Sequence, residues 1–354
     1  MTGSIVSVVI PTYNRSACLP RAIDSVLGQT HGAVEVIIVD DGSTDDTGEM
    51  MKRRYGSDRR VQYHYQANTG ISGARNAGLA RATGAYVALL DSDDEWLPWK
   101  LELQVACLAA HPEVGMTWTD MFAIDPAGNI KSEAFLRQMY RAYRWYPTSE
   151  SLFGSSARLE TLSPRARVVA PGRNFYYGDI GDKMLMGSLV HTSTVVLTRE
   201  RALAVKAFRE DLRYAGEDFE FHLRTCRLGP VGYLDVSSIR YQIGQADAAS
   251  RYRLHMATNF LRVIEPILAA EGERIALPKA MQAEVLGGAH AWVGETLLDE
   301  GDSAGARRHL ARSLRIHPRQ WRTARLFLGA CLPTPLRRIV RRLYRAARGV
   351  RPLS

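Results

Sequence analysis

Beyond Asp302 this 354-residue chain has no aspartate and no glutamate, while fourteen arginines follow. The formal net charge of +9 therefore resides in the C-terminal stretch, and residues 1–302 are net −5. A basic balance invites a nucleic-acid or membrane reading, and the location of the charge confines that reading to the tail. Cysteine is scarce. Cys18, Cys107, Cys226 and Cys331 are far apart with no Cys-x-x-Cys pair, which excludes a zinc framework and a disulfide scaffold. No apolar run approaches the roughly 20 residues of a membrane-spanning helix. The N-terminus enters a strand directly without a basic leader, so no signal peptide is read there and a cytoplasmic location is expected.

What is present is an ordinary globular composition, 46% hydrophobic and 23% charged, long enough for one large domain and an appendage. One stretch organises the rest. Tyr86-Val87-Ala88-Leu89-Leu90 reads as a strand buried on both faces and ends in Asp91-Ser92-Asp93-Asp94. Three carboxylates so close repel one another unless a cation sits among them. In an open α/β sheet that strand edge is also where ligands bind. A hard divalent cation carrying a phosphate-bearing ligand fits, and a solvated turn fits the residue types as well.

Taken in order, residues 5–10 form an apolar strand stopped by Pro11, and Leu19, Ala22, Ile23, Val26 and Leu27 mark a helix face. Residues 34–39 form a second strand ending in Asp40-Asp41-Gly42. Ser43-Thr44-Asp45-Asp46 has the form of a capping box, predicting a helix start. A short strand spans 61–65 and a helix spans 71–82, with Gly84 suited to its C-terminal cap. After the organising strand come a helix over 98–110 and a strand near 114–119. This alternation predicts βαβ units and a mostly parallel sheet flanked by helices. Residues 125–185 lack periodicity and read as an irregular insertion. A strand is expected at 191–197 and a helix at 217–228.

From Arg251 onward the pattern is helical. Gly294, Ala306, Leu310 and Pro318 stand at the offsets of one tetratricopeptide-like hairpin. Leu336, Ile339, Val340, Leu343, Tyr344 and Ala347 share a helical face opposite arginines 337, 338, 341, 342, 345 and 348. That is the pattern of a basic interfacial helix drawn to anionic lipid over Leu336–Arg348. Nucleic-acid binding is not expected, since the arginines lack interleaved aromatic platforms and the body is mildly acidic. Three segments follow: 1–245, 246–332 and 333–354.

Five motifs in order carry a family resemblance: residues 6–15 (Val-Ser-Val-Val-Ile-Pro-Thr-Tyr-Asn-Arg), residues 39–45 (Val-Asp-Asp-Gly-Ser-Thr-Asp), Asn68-Thr69-Gly70, Ala74-Arg75-Asn76-x-Gly78, and residues 90–94 (Leu-Asp-Ser-Asp-Asp). Together they resemble the family-two glycosyltransferases of GT-A fold, over roughly residues 4–245. The resemblance implies inverting transfer of a sugar from a nucleotide-sugar donor, UDP-type, to a hydroxyl of a glycan or glycolipid. It implies a nucleotide site of Pro11, Thr12, Tyr13, Asp40, Asp41, Arg75 and Asp91, with Thr12 and Tyr13 flanking base and ribose and Asp41 accepting from the base. The two acids also suit helix capping, and Arg75 also suits a surface charge.

Asp91 and Asp93 would share a strand face and bridge Mn2+ or Mg2+ to the diphosphate, leaving Asp94 in a supporting role. Asp218 would be the base that deprotonates the acceptor, with Glu217 in support, and His191-Thr192-Ser193 would line the acceptor side. No Gln-x-x-Arg-Trp signature of processive synthases occurs, so one sugar per encounter is expected. A lipid-linked or surface-polysaccharide precursor at the inner membrane face would be the acceptor. The competing readings are a nucleotidyltransferase, for which residues 11–14 lack a Gly-rich phosphate loop, and a non-catalytic module that binds the nucleotide sugar or recruits partners.

Overall fold

The apolar runs of the N-terminal region pair into one sheet of eleven strands among the described residues. They are β1 (Val6–Thr12), β2 (Val34–Asp40), β3 (Val61–Tyr65), β4 (Tyr86–Leu89), β5 (Glu95–Trp96), β6 (Met116–Ile124), β7 (Ile130–Ser132), β8 (Ser155–Arg158), β9 (Asn174–Gly178), β10 (Val196–Thr198) and β11 (Val231–Gln242). The computed structural model describes residues 3–244 and 252–332. It divides into two compact units, Met1–Ala249 and Ser250–Ser354.

The spatial order is β3-β2-β1-β4-β10-β6-β11-β9-β8, with β5 on β11 and β7 on β6. From β3 to β4 every pairing is parallel, and α1 (Leu19–Leu27), α2 (Thr47–Tyr55) and α3 (Ile71–Leu79) make the crossovers. β10 then enters antiparallel to both β4 and β6. The parallel arrangement thus fills one half of the sheet, and the other half is mixed. α4 (Lys100–Ala110) links β5 to β6.

The core of the parallel half is built mainly of aliphatic side chains: Val6, Val8, Val9, Ile10, Val36, Ile37, Ile38 and Val39 have no exposed surface. Pro11 does not stop β1; it pairs with Val39 inside it. The reason lies in the hydrogen-bond phase. The Val6 amide donates to Ala33 on the β2 side, so odd-numbered residues turn their N–H toward β4. The β4 register ends at Leu89 opposite Val9. Position 11 lies past that last registered pair, and its missing N–H faces β4, so proline removes no bond from the β1–β2 ladder.

Several expectations are corrected. Ser43 to Asp46 make no capping box, and α2 starts at Thr47 with no side-chain cap. Those side chains tie down the first loop instead: Ser43 Oγ accepts from the Asn14 amide at 2.8 Å and the Asp45 carboxylate from the Ser16 amide at 3.1 Å. α3 ends at Leu79 with Ala80 as its C-cap. Gly84 serves close approach rather than capping, because a Cβ there would lie 2.4 Å from the Ile5 carbonyl oxygen. The region 191–197 is strand only from Val196, since Thr192–Thr194 form a single 3-10 turn.

The insertion is irregular in sequence yet ordered in space. Its β9 pairs antiparallel with β11 and β8 with β9, which closes that edge of the sheet. The side chains reveal why no pattern was visible: Phe175 and Tyr176 are buried as neighbours on one strand, so alternation is absent.

Among the described residues of the second unit, four helices run Arg253–Glu271, Lys279–Glu300, Ser303–Ile316 and Trp321–Cys331. Gly294 lets two of them meet: a Cβ would fall 2.7 Å from Leu310 Cγ. Ala306, Leu310 and Ala330 form a packed centre among these helices. No helix of the described residues is long and apolar enough to cross a membrane. The amphipathic segment Leu336–Arg348 lies outside the described residues.

Replacing Gly84 by alanine sets a methyl group against main chain that has no rotamer to yield. Gly84→Ala is expected to destabilise the protein by about 1–3 kcal/mol, read as a lower urea midpoint at unchanged slope. A midpoint equal to that of the unmodified protein would contradict the close-approach reading.

Candidate active site

Three parallel strands deliver their C-terminal ends to one edge, as open α/β sheets do at ligand sites. β1 ends in Thr12, β2 in Asp40 and β4 at Leu89, just before Asp91. The first loop is shaped by Asn14, whose backbone is left-handed at φ 52°. Its side-chain oxygen accepts from the Thr44 and Asp45 amides at 2.8 and 3.3 Å. Tyr13 projects into solvent, 49% exposed, while Thr12 is buried with its hydroxyl unpartnered.

Asp40 and Asp41 are both buried. Asp40 accepts from the Tyr63 hydroxyl and the Ser43 amide, at 2.5 and 2.8 Å. The Asp41 carboxylate accepts from the amides of Thr69 and Gly70, at 2.9 and 2.7 Å, and from Gln66 Nε2 at 2.8 Å. Neither acid caps α2. They lock the 66–70 loop and the 43–47 turn around the end of β2.

The centre of the site is Arg75. It stands on α3, 2% exposed, not at the surface. Its Nη2 donates to Asp91 Oδ1 at 2.8 Å and its Nη1 to Glu217 Oε1 at 2.9 Å. The guanidinium also lies over the Phe208 ring, 5.3 Å from its centroid. The guanidinium thereby joins acids 16 and 142 positions away in sequence. Burial works against the cation, and Asp91 and Glu217 outweigh it, so Arg75 stays protonated. Burial likewise lifts Asp91, but Arg75 and then His191 hold its carboxyl below the usual range.

Glu217 opens the helix Glu217–Arg227, behind Gly216 at φ 92°. Burial and adjacent Asp218 push its carboxyl up to about 7, against the pull of Arg75. Asp218 is half-buried on the first turn of the same helix, where the macrodipole favours an anion. One of its oxygens accepts from the Phe219 amide at 2.7 Å.

Of the expected metal pair, Asp91 and Asp93, the second lies beside Arg15, with 4.0 Å between Oδ2 and the guanidinium. Asp94 and His191 also come beside Asp91, with ligand atoms of all three within 4.8 Å of one another. A turn causes this: the Asp94 amide donates to the Asp91 carbonyl at 3.1 Å, which folds Asp94 inward. Burial, then Asp93 and Asp91, push its carboxyl well above the ordinary range.

Asp94 Oδ2 and His191 Nδ1 are buried without a hydrogen-bond partner. Orphaned oxygen and imidazole donors around one point fit a divalent cation of the Mg2+ or Mn2+ kind. Ser193 ties the cluster together. Its hydroxyl accepts from the Asp91 amide at 3.1 Å and its carbonyl from Trp96 Nε1 at 2.8 Å.

Sequence reasoning missed the ligand geometry of Asp94, the pinning role of Ser193 and the presence of His222. His222 is fully buried, and burial, Arg75 and His191 hold its imidazole neutral, with a pKa of about 3. Only a polar residue on the inward face of the 217–228 pattern could have flagged it.

Comparison with known proteins gives a consistent picture. Residues 7–155 match the sequence model of glycosyl transferase family 2. A putative teichuronic acid biosynthesis glycosyltransferase of Bacillus subtilis is 45% identical over 102 residues, 28% of this chain and 40% of that protein. A chondroitin synthase of Escherichia coli is 36% identical over 136 residues, 38% of this chain and 20% of the relative. The chain thus spans less than half the length of these relatives. In structure, S. aureus TarS 1–349 in complex with UDP-GlcNAc superimposes with a TM-score of 0.56 at 17% identity, covering 92% of this chain and 84% of that one. The likeness is one of fold, a GT-A type sheet with a helical region after it.

Removing the guanidinium strands two acids in the interior. Arg75→Met is expected to cost about 3–5 kcal/mol of unfolding free energy, measured by chemical denaturation, and Arg75→Lys a smaller part of it. A loss within error of zero for Arg75→Met would show that the pairs carry no structural weight.

Proposed function

Taking residues 7–155 as a family-2 glycosyltransferase domain, we propose that the protein transfers one sugar, with inversion, from a nucleotide-sugar donor to a hydroxyl of a glycan or glycolipid. The observation that carries this reading is the convergence of Asp91, Glu217 and Asp218 around the buried Arg75 at the carboxyl edge of the parallel strands. Such an edge, with a cationic centre under a row of acids, suits a ligand that brings a diphosphate and a metal together.

The residues divide the work. Pro11, Thr12 and Tyr13 form the floor and rim of the nucleotide side, with Asp40 and Asp41 fixing the loops around it. Asp91, Asp94 and His191 would hold Mn2+ or Mg2+, which supplies Lewis-acid neutralisation of the charge growing on the leaving diphosphate. Arg75 aligns Asp91 with Glu217 and screens the repulsion between them. Asp218 removes the proton of the attacking hydroxyl; a carboxylate so placed contributes roughly 100- to 10,000-fold. Glu217, anchored by Arg75, fixes the first turn on which Asp218 stands.

The likeness to TarS and the teichuronic acid and chondroitin relatives supports a UDP-type donor and a cell-surface polysaccharide acceptor. The basic segment Leu336–Arg348 supports a peripheral position on the inner membrane face, and residues 246–332 a helical module of their own.

Donor class is tested by thermal shift with a panel of nucleotide sugars, with and without Mn2+. One nucleotide should raise the melting temperature in a metal-dependent way; silence across the panel would refute the reading. Asp218→Asn should keep that shift and lower turnover by roughly 100-fold or more, whereas Asp91→Ala should lose both. Retained turnover in Asp218→Asn would remove it from the role of base. Deleting 334–354 should abolish sedimentation with anionic liposomes, and unchanged sedimentation would refute the membrane assignment.

A further inference from the structure

Lys100 is a buried basic residue for which the transfer reaction has no use so far. It opens α4 with no exposed surface, and no carboxylate among the described residues offsets its charge. Burial pushes its ammonium well below the usual lysine range. An aliphatic side chain of similar length would fill this space without that desolvation cost. The two contacts of the ammonium show what it does there. Nζ donates to Gln104 Oε1 at 2.6 Å, one helical turn on, and stands 4.1 Å from the centroid of the Trp96 ring.

Both contacts lead to the 3-10 turn Thr192–Thr194. Trp96 Nε1 donates to the Ser193 carbonyl at 2.8 Å, and Gln104 Nε2 donates to the Thr194 carbonyl at 3.0 Å. That turn is tied in its own right to all three residues of the candidate cation cluster. The Ser193 hydroxyl oxygen accepts from the Asp91 amide at 3.1 Å, and the same hydroxyl stabilises the Asp94 carboxylate. The amide and the hydroxyl of Thr194 both donate to the His191 carbonyl, at 3.0 and 2.6 Å.

The orientation of Gln104 is decisive. Its Nε2 faces the Thr194 carbonyl and, at 3.2 Å, the Thr117 carbonyl, both of which can only accept. Oε1 then needs a donor inside a fully buried site, and Lys100 supplies it. Without that donor the oxygen is left unpaired, and a flipped amide would set oxygen against oxygen at Thr194. We propose that Lys100 is a positioning residue for divalent-cation binding, which through Gln104 and Trp96 fixes the turn that keeps Asp91, Asp94 and His191 together. The proposal rests on the assignment of those three residues to Mn2+ or Mg2+. Groups behind a metal ligand that hold it in place typically change affinity by roughly 10- to 100-fold.

The test is calorimetric titration of the full chain with Mn2+ alone. Lys100→Met keeps the reach of the side chain and removes the ammonium, and it should weaken Mn2+ binding about tenfold or more. Trp96→Phe keeps an aromatic ring beneath the ammonium and removes the donor to Ser193, and it should weaken binding as well. Lys100→Met combined with Gln104→Met should lose less than the product of the two single losses, because both act on the same carbonyl. Gly84→Ala serves as the control. It disturbs the chain where Gly84 meets Ile5, ahead of β1 and β4 and away from their carboxyl ends, and should bind Mn2+ as the unmodified protein does.

Unchanged Mn2+ affinity in Lys100→Met would overturn the proposal, and if that variant does not fold, unchanged affinity in Trp96→Phe decides in its place. An equal loss in Gly84→Ala would assign the effect to lowered stability and overturn it too, as would fully multiplicative losses in the double variant. Absence of Mn2+ binding by the unmodified chain rejects the cation assignment itself. Binding that Lys100→Met leaves unchanged rejects only the positioning role.

Discussion

A single buried cation holds the site. Arg75 stands where three chain segments converge, and its two nitrogens divide between an acid that follows β4 and an acid that opens a helix after β10. Without it Asp91 and Glu217 would face each other in a poorly solvated interior, where like charges repel strongly. With it, the parallel half of the sheet and the helix bearing Asp218 are joined at the place where chemistry is expected. The ion pair is an expensive fastening in free-energy terms, and its place at the carboxyl edge of the parallel strands is a reason to look there for function.

Much of the parallel half was legible in sequence. Runs such as Val36-Ile37-Ile38-Val39 are buried on both faces, so hydrophobicity alone marks them. The position of the acids after β2 and β4 was equally plain. Orientation was not. Asp93 and Asp94 are neighbours in sequence, yet one meets Arg15 and the other turns inward, because a backbone hydrogen bond closes a turn at Asp91. Periodicity describes strands and fails at the first residue beyond one.

The same limit explains the rest. Ser43 to Asp46 match a capping pattern, but the side chains of Ser43 and Asp45 accept from amides of the loop carrying Asn14. Thr192 to Thr194 read as strand, yet Ser193 is held in a turn by the Asp91 amide and Trp96. In each case a long-range hydrogen bond overrides a local preference, and such bonds leave no mark on spacing. Arg75 belongs here too, since nothing in its own helix reveals that acids at positions 91 and 217 will surround it.

The loops at the end of β2 are satisfied before any ligand arrives. Asp41 holds two amides and a side-chain amide of the 66–70 loop, and Asp40 a phenol and an amide of the following turn. Their conformational entropy is surrendered during folding, so it is not charged again at binding. A ligand docking on this side would meet loops already fixed, and its affinity would then depend little on temperature-sensitive loop ordering. The ordering is done by the chain's own carboxylates, so the shape of this side is set by the fold and not by what it binds.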